Sequence, residues 1–196
     1  MNEISFVKVQ NATSLIINLN EVKRYLRIHG STSVIEDLIG TATEEVYKSA
    51  SLNAVFSKTK VFVEDDEICF DFDKIKSKDL AKNLYGCKEA YVFCATLGVE
   101  IDRLIKRYSE IEPAKAVVID SVASALIEGF CDYINSLLAK DSNLCPRFSC
   151  GYGDFNITHQ ASIIKALDAN KRLGVFLTDS YMMTPFKTVT AIIGMK

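Results

Sequence analysis

Apolar and polar positions alternate in some stretches and recur at helical spacing in others, which divides the chain into short elements. Residues 4–9 and 14–19 read as brief strands with a turn near Asn11. Asn20 caps a short helix over residues 21–28, with Glu21 in its first turn and Gly30 closing it. Ser31 or Ser33 caps a second helix to about Ser49, with Val34, Ile35, Leu38, Ile39, Ala42 and Val46 on its apolar face. Residues 54–63 and 67–72 then alternate as strands around Glu64-Asp65-Asp66, which predicts a hairpin. Ser77 caps a helix through Leu84, and Gly86 ends it. Residues 91–98 are an unbroken apolar run, the mark of a strand buried on both faces, and Gly98 turns it into a helix through Tyr108.

Pro113 opens the longest helix, running to about Ala139, with apolar residues on nearly every side, so most of it is expected to be buried. Its polar residues are therefore informative. Asp120, Ser124, Glu128 and Asp132 recur every four positions and form one drifting stripe. That stripe faces either water or a polar cleft, and a cleft would require cations or donors to offset carboxylate desolvation. Beyond it, Thr158 caps a helix over residues 159–172 that Gly174 ends. Residues 175–177, 181–183 and 188–193 read as strands, the middle one stopped by Pro185. Strands interleaved with helices, without regular βαβ spacing, predict an α+β fold with a mixed or antiparallel sheet. The long buried helix lies at its centre with the other helices flanking it. Residues 1–196 are read as one domain, with residues 1–50 packing on it.

Between the two C-terminal helices lies a dense loop, Cys145-Pro146-Arg147-Phe148-Ser149-Cys150-Gly151-Tyr152-Gly153-Asp154-Phe155. Its arginine offers a planar fork of donors suited to a carboxylate, and the amides around its glycines suit an adenine edge or an anion. The competing reading is a tight loop whose aromatics plug the core. With 48% hydrophobic and 24% charged residues and a net charge of -2, no global field draws the chain to nucleic acid. No run approaches a membrane span, and no secretory pattern opens the chain, so a cytoplasmic location is expected. The six cysteines form no Cys-x-x-Cys pair and the two histidines are far apart, which is a poor metal signature. Cys69, Cys94 and Cys131 fall in apolar patterns. Cys145 and Cys150 are the close pair in sequence, read as reduced thiols.

Three segments carry a family resemblance. Arg147-Phe148-Ser149-Cys150-Gly151-Tyr152 resembles the Arg-x-x-x-Gly-Tyr motif of the activation domain of cobalamin-dependent methionine synthase. Residues 127–133, Ile-Glu-Gly-Phe-Cys-Asp-Tyr, are similar to its ligand-facing helix, and residues 173–185 follow its Gly, Leu-Thr-Glu-Ser, Met-x-Pro order. Residues 77–84 and 95–98 look like segments of that domain's short, free-standing relatives. Phe148 and Cys150 stand where the enzyme's motif is rich in proline.

The resemblance implies a module that binds S-adenosylmethionine through Glu128, Arg147, Ser149, Gly151 and Tyr152. It supports one-electron reduction and methylation of an inactive cob(II) corrinoid, as a component of methionine synthase activity in methionine biosynthesis. The cobalamin is implied to sit on a partner: a corrinoid protein, or a methionine synthase lacking its own activation domain. A flavodoxin or ferredoxin-like reductant is implied as the electron donor. In that scheme Arg147 takes the ligand's carboxylate and Glu128 its ammonium or a nearby donor. The backbone at Ser149 and Gly151 meets the adenine edge, and Tyr152 forms a wall. No residue of the chain is assigned as catalytic or metal-binding. Two alternatives stay open: the same fold with another nucleotide-like or amino-acid ligand, and a thiol redox protein using Cys145 and Cys150.

Overall fold

The unbroken apolar run becomes an inner strand of an antiparallel sheet, paired on both edges. The computed structural model describes residues 3–28, 30, 32–140 and 143–196. Its elements in chain order are β1 (Ser5–Val9), α1 (Leu19–Tyr25), α2 (Ser33–Ser49), β2 (Leu52–Glu64), β3 (Glu67–Phe70), β4 (Lys74–Lys76), α3 (Lys78–Asn83), β5 (Glu89–Thr96), α4 (Val99–Ile111), α5 (Pro113–Leu138), α6 (Gln160–Ala166), α7 (Ala169–Leu173), β6 (Phe176–Leu177), β7 (Met183–Thr184) and β8 (Thr188–Met195). Single 3-10 turns stand at Ala12–Ser14 and Ile157–His159. The main sheet runs β4-β3-β2-β5-β8, β1 pairs with β2, and β6 and β7 form a separate pair. All these pairings are antiparallel. The fold is α+β.

Alternation along β5 explains why both faces of the sheet are covered. Phe93 and Ala95 enter one core with Ala54, Ala191 and Ile193 and with the buried face of α5. Val92 and Cys94 enter the other with Val55, Ile192, Ile163 and Phe155. Ile39, Ala42 and Val46 of α2 and Val22 of α1 join the first core, so the N-terminal helices pack against α5. On α5, Ile119, Val122, Phe130, Cys131 and Ile134 are fully buried, as its apolar surround predicts.

Several local expectations are corrected. Residues 14–19 form no strand. Leu15 C=O accepts from the Tyr47 hydroxyl at 2.7 Å and Ile17 N–H donates to it at 3.3 Å, so a tyrosine of α2 replaces a partner strand. Asn18 caps α1, not Asn20, whose N–H is the donor to the Asn18 side chain. Thr32 precedes α2 as its cap, so Ser33 is already helical, and Ser31 lies outside the described residues. Val34, Val117 and Tyr133 are exposed. The helix expected over residues 159–172 breaks at Asp168, which takes a left-handed φ of 50° that aspartate tolerates better than most residues. Asn156, not Thr158, is the side-chain cap before it. The strand expected at 181–183 shifts to Met183–Thr184, and β4 is an addition.

Candidate functional site

The polar stripe of α5 faces cations. Lys187 Nζ lies 2.8 Å from Asp120 Oδ1 and donates to Ser124 Oγ at 2.9 Å. Further along, Arg147 Nη2 lies 3.0 Å from Glu128 Oε2 and 3.1 Å from Asp132 Oδ1. Both readings of the stripe hold in part: Asp120 and Asp132 stay exposed to water with a cation beside each, whereas the half-buried Glu128 lines a cleft. Glu128 also acts on α1: burial first, and then its negative charge, hold the Tyr25 hydroxyl above its usual range.

Arg147 is aimed by its backbone. The segment before it follows the outer edge of β8, with Cys145 N–H donating to Gly194 C=O at 2.9 Å. Phe148 then exchanges both backbone bonds with Ile192, at 2.9 and 2.8 Å. Gly194 leaves room for the side chains packed over it, because a Cβ there would stand 2.7 Å from Cys87 Sγ, 2.8 Å from Leu84 Cδ2 and 3.2 Å from Cys145 Sγ. Asn83 Nδ2 donates to Pro146 C=O at 3.2 Å and fixes the same stretch from α3. Past Phe148 the loop turns on itself: Tyr152 N–H donates to Ser149 C=O, and Gly151 N–H to Phe155 C=O at 2.8 Å.

Its far end is tied to the start of α3. Asp154 accepts from the Ser77 hydroxyl, from Lys78 N–H at 2.8 Å and from Asp79 N–H at 3.2 Å. Gly153 makes this contact possible, since its φ is +52° and a Cβ would fall 2.1 Å from Asp79 Oδ2. Phe155 is buried and stacks near Phe148 with ring centroids 6.3 Å apart, whereas Tyr152 is 67% exposed. Two of the loop's aromatics plug the core; the third does not.

These elements enclose a cleft of about 430 Å³, lined by Glu128, Arg147, Phe148, Ser149, Cys150 and Tyr152, with Gln160, Met183, Thr188, Val189 and Thr190 completing it. That is within the size range of small-molecule sites. Two buried side-chain atoms of its lining lack a hydrogen-bond partner among the described residues, Arg147 Nη1 and Thr190 Oγ1. Such atoms are uncommon in folded proteins and carry a desolvation cost until something pairs with them. Gln160, itself buried, donates through Nε2 to Tyr181 C=O at 2.6 Å and secures the opposite wall.

The structure thus brings Glu128, Arg147, Ser149 and Tyr152 together around one cleft. Gly151 stands beside it, with its amide already committed to Phe155. Sequence reasoning missed Gln160, Met183, Thr188 and Thr190. Threonines in a strand carry no functional signature, because β-branched residues are favoured there anyway.

The thiols are arranged differently from their order in sequence. Cys145 meets Cys87, with sulfurs 3.6 Å apart, and all six cysteines are free. Burial pushes the Cys150 thiol up to about 12, the Cys131 thiol up to about 12 and the Cys87 thiol up to about 11. Thiol chemistry needs the thiolate, so none of these three is activated. The described residues contain no cluster suited to a metal ion, and no helix among them is long and apolar enough to cross a membrane.

No family model matches the chain, and no curated protein matches it in sequence. Among solved structures, the reactivation domain of MetH, crystallised bound to AdoHcy, is similar to it with a TM-score of 0.72 and 15% identity. The similarity covers 98% of this chain and 78% of that one. The α+β architecture with its antiparallel sheet is that domain's fold.

Proposed function

We propose that the cleft binds S-adenosylmethionine and that the chain serves as a reactivation module for a corrinoid methyltransferase. The observation that carries this reading is the buried, unpartnered Arg147 Nη1 beside Glu128. A guanidinium held on one side by carboxylates and left open on the other suits an incoming carboxylate. Glu128, about half exposed beside it, takes the ammonium of the same ligand. An α-amino acid end is the group that meets both demands at once. The fold likeness supports the nucleoside half, because the MetH domain holds AdoHcy, which is S-adenosylmethionine without its methyl group.

In this reading Arg147 and Glu128 fix the amino-acid end. The exposed ring of Tyr152 covers one side, and Ser149 lines the wall beside it. S-adenosylmethionine supplies an electrophilic methyl group on a sulfonium. Losing that methyl leaves a neutral thioether, so no proton has to move and the chain's contribution is positioning. The acceptor is a cobalamin on another protein, either a corrinoid protein or a methionine synthase lacking its own activation domain. A flavodoxin or ferredoxin-like donor provides one electron.

Titration calorimetry with S-adenosylmethionine and S-adenosylhomocysteine tests the binding step, with ATP as a control that has the nucleoside but no amino acid. Saturable one-to-one binding of both S-adenosyl compounds and none of ATP is expected. Binding of neither S-adenosyl compound overturns the reading. ATP binding as tight as theirs would point to a nucleotide site instead.

A further inference from the structure

The loop that carries Arg147 follows β8 for only part of that strand's length. Ile192 and Gly194 use their outward backbone groups on Phe148 and Cys145. In an antiparallel strand every second residue turns its N–H and C=O to the same side, so Thr190 presents its own pair outward as well. Cys94 of β5 lies across from it on the other side. By Thr190 the loop has left the edge, since beyond Phe148 its backbone bonds run to Phe155 and Ser149. Thr190 therefore opens one donor and one acceptor of the strand edge onto the cleft it lines.

The side chain adds a third group. Thr190 is 1% exposed, and its Oγ1 is the second unpartnered atom of the cleft. The neighbouring hydroxyl on the same face of the strand is satisfied, with Thr188 Oγ1 donating to Thr96 Oγ1 at 2.8 Å. An unpaired hydroxyl is therefore not a general feature of this strand. A valine would fill the position without the desolvation cost.

We propose that Thr190 contacts the ligand and reads the heterocyclic base of its nucleoside half, through its hydroxyl and the open strand edge. This rests on the S-adenosyl reading of the cleft. Arg147 and Glu128 are taken up by the amino-acid end. A flat base with an in-plane acceptor next to an exocyclic amine then matches an adjacent N–H and C=O. Adenine has that edge. Hypoxanthine, with an oxo group in place of the amine, loses the donor.

The test compares Thr190→Val, which keeps the shape and removes the hydroxyl, with Thr190→Ser, which keeps the hydroxyl. Affinities for S-adenosylhomocysteine and its inosine analogue are measured alongside Tm. Thr190→Val is expected to weaken S-adenosylhomocysteine roughly tenfold, the worth of one hydrogen bond, with Tm unchanged or raised. Thr190→Ser should stay within about threefold of the parent. The parent should disfavour the inosine analogue, and Thr190→Val should narrow that preference, since contacting groups are not additive. Unchanged affinity in Thr190→Val overturns the inference, as does a sharp fall in its Tm, which would make the hydroxyl structural. Equal losses for both analogues overturn the assignment to the base. A parent that binds S-adenosylhomocysteine while the variants behave alike leaves the proposed function standing without Thr190. A parent that binds neither S-adenosylmethionine nor S-adenosylhomocysteine removes both.

Discussion

Two cations meet the same polar stripe of α5 and end in different states. Lys187 satisfies itself on Asp120 and Ser124, at 2.8 and 2.9 Å. Arg147, facing the helix about 12 Å further along, bridges Glu128 and Asp132 through a single nitrogen, and its Nη1 stays buried and unpaired. An ammonium is a compact charge whose donors rotate onto whatever acceptor is near. A guanidinium is a rigid fork, so satisfying one nitrogen does not satisfy the other. The acids of the stripe are of one kind at both ends. What separates a fully satisfied cation from one with an unpaired donor is the shape of the cation opposite them.

The strongest way to break this comparison is to remove each cation and measure ligand affinity. Arg147→Ala is expected to weaken S-adenosylmethionine by about 2–3 kcal/mol, roughly 30- to 150-fold, with Arg147→Lys in between because it keeps the charge and loses the fork. Lys187→Ala should leave affinity within about threefold. Calorimetry on the three variants decides it, and comparable losses at the two positions would erase the distinction. Decarboxylated S-adenosylmethionine, which lacks the proposed partner of Nη1, should be nearly indifferent to Arg147→Ala.

A smaller effect is expected on stability without ligand. The carboxylate of Glu128 is 44% exposed, so solvent screens its pairing with Arg147, and each single replacement, Glu128→Gln or Arg147→Met, should cost about 0.5–1 kcal/mol. The double replacement should cost less than the sum of the two, because each single change leaves the other partner uncompensated. Urea denaturation of the four proteins measures this. Strict additivity would mean that the 3.0 Å contact carries no coupling.

Much of this arrangement was legible in the chain because it is written in local pattern. The apolar run of β5, the proline at the start of α5, the Asp65 turn of the hairpin and the serine cap at Ser77 each depend on residues a few positions apart. The meeting of Glu128 with Arg147 was legible through the family resemblance, which put both on one ligand, whereas the polar stripe alone left water and a cleft open. What escaped was non-local or signed by nothing. Residues 14–19 alternate like a strand, but their backbone partner is a tyrosine hydroxyl on another element. The C-terminal helical period runs through Asp168 without a break in its apolar spacing, although the backbone breaks there. Cys145 lies near Cys150 in sequence and against Cys87 in space. Thr190 reads as any threonine in a strand until its missing hydrogen bond is seen.

The smallest effect concerns how the two cations are held. Lys187 leads directly into β8, whereas Arg147 sits on a loop whose far end is fixed by Asp154 at the start of α3. The hydrogen bond from Ser77, and after it the amides of Lys78 and Asp79, hold the Asp154 carboxyl below its ordinary value of about 3.9. A carboxyl with a depressed folded pKa binds fewer protons in the folded state than in the unfolded one. Its stabilisation is therefore complete above the ordinary value and is lost as pH falls through the folded one. Asp154→Asn should lower Tm slightly at neutral pH, and the gap to the parent should close as both are taken below about pH 3. Because Asp154 acts on Arg147 only through the loop, the same variant should shift S-adenosylmethionine affinity by no more than about threefold. Thermal melts from pH 2 to 7 read the first outcome. A gap that persists unchanged into acid would mean that the anchor works by shape alone, and that the carboxylate's charge plays no part in holding the open arginine in place.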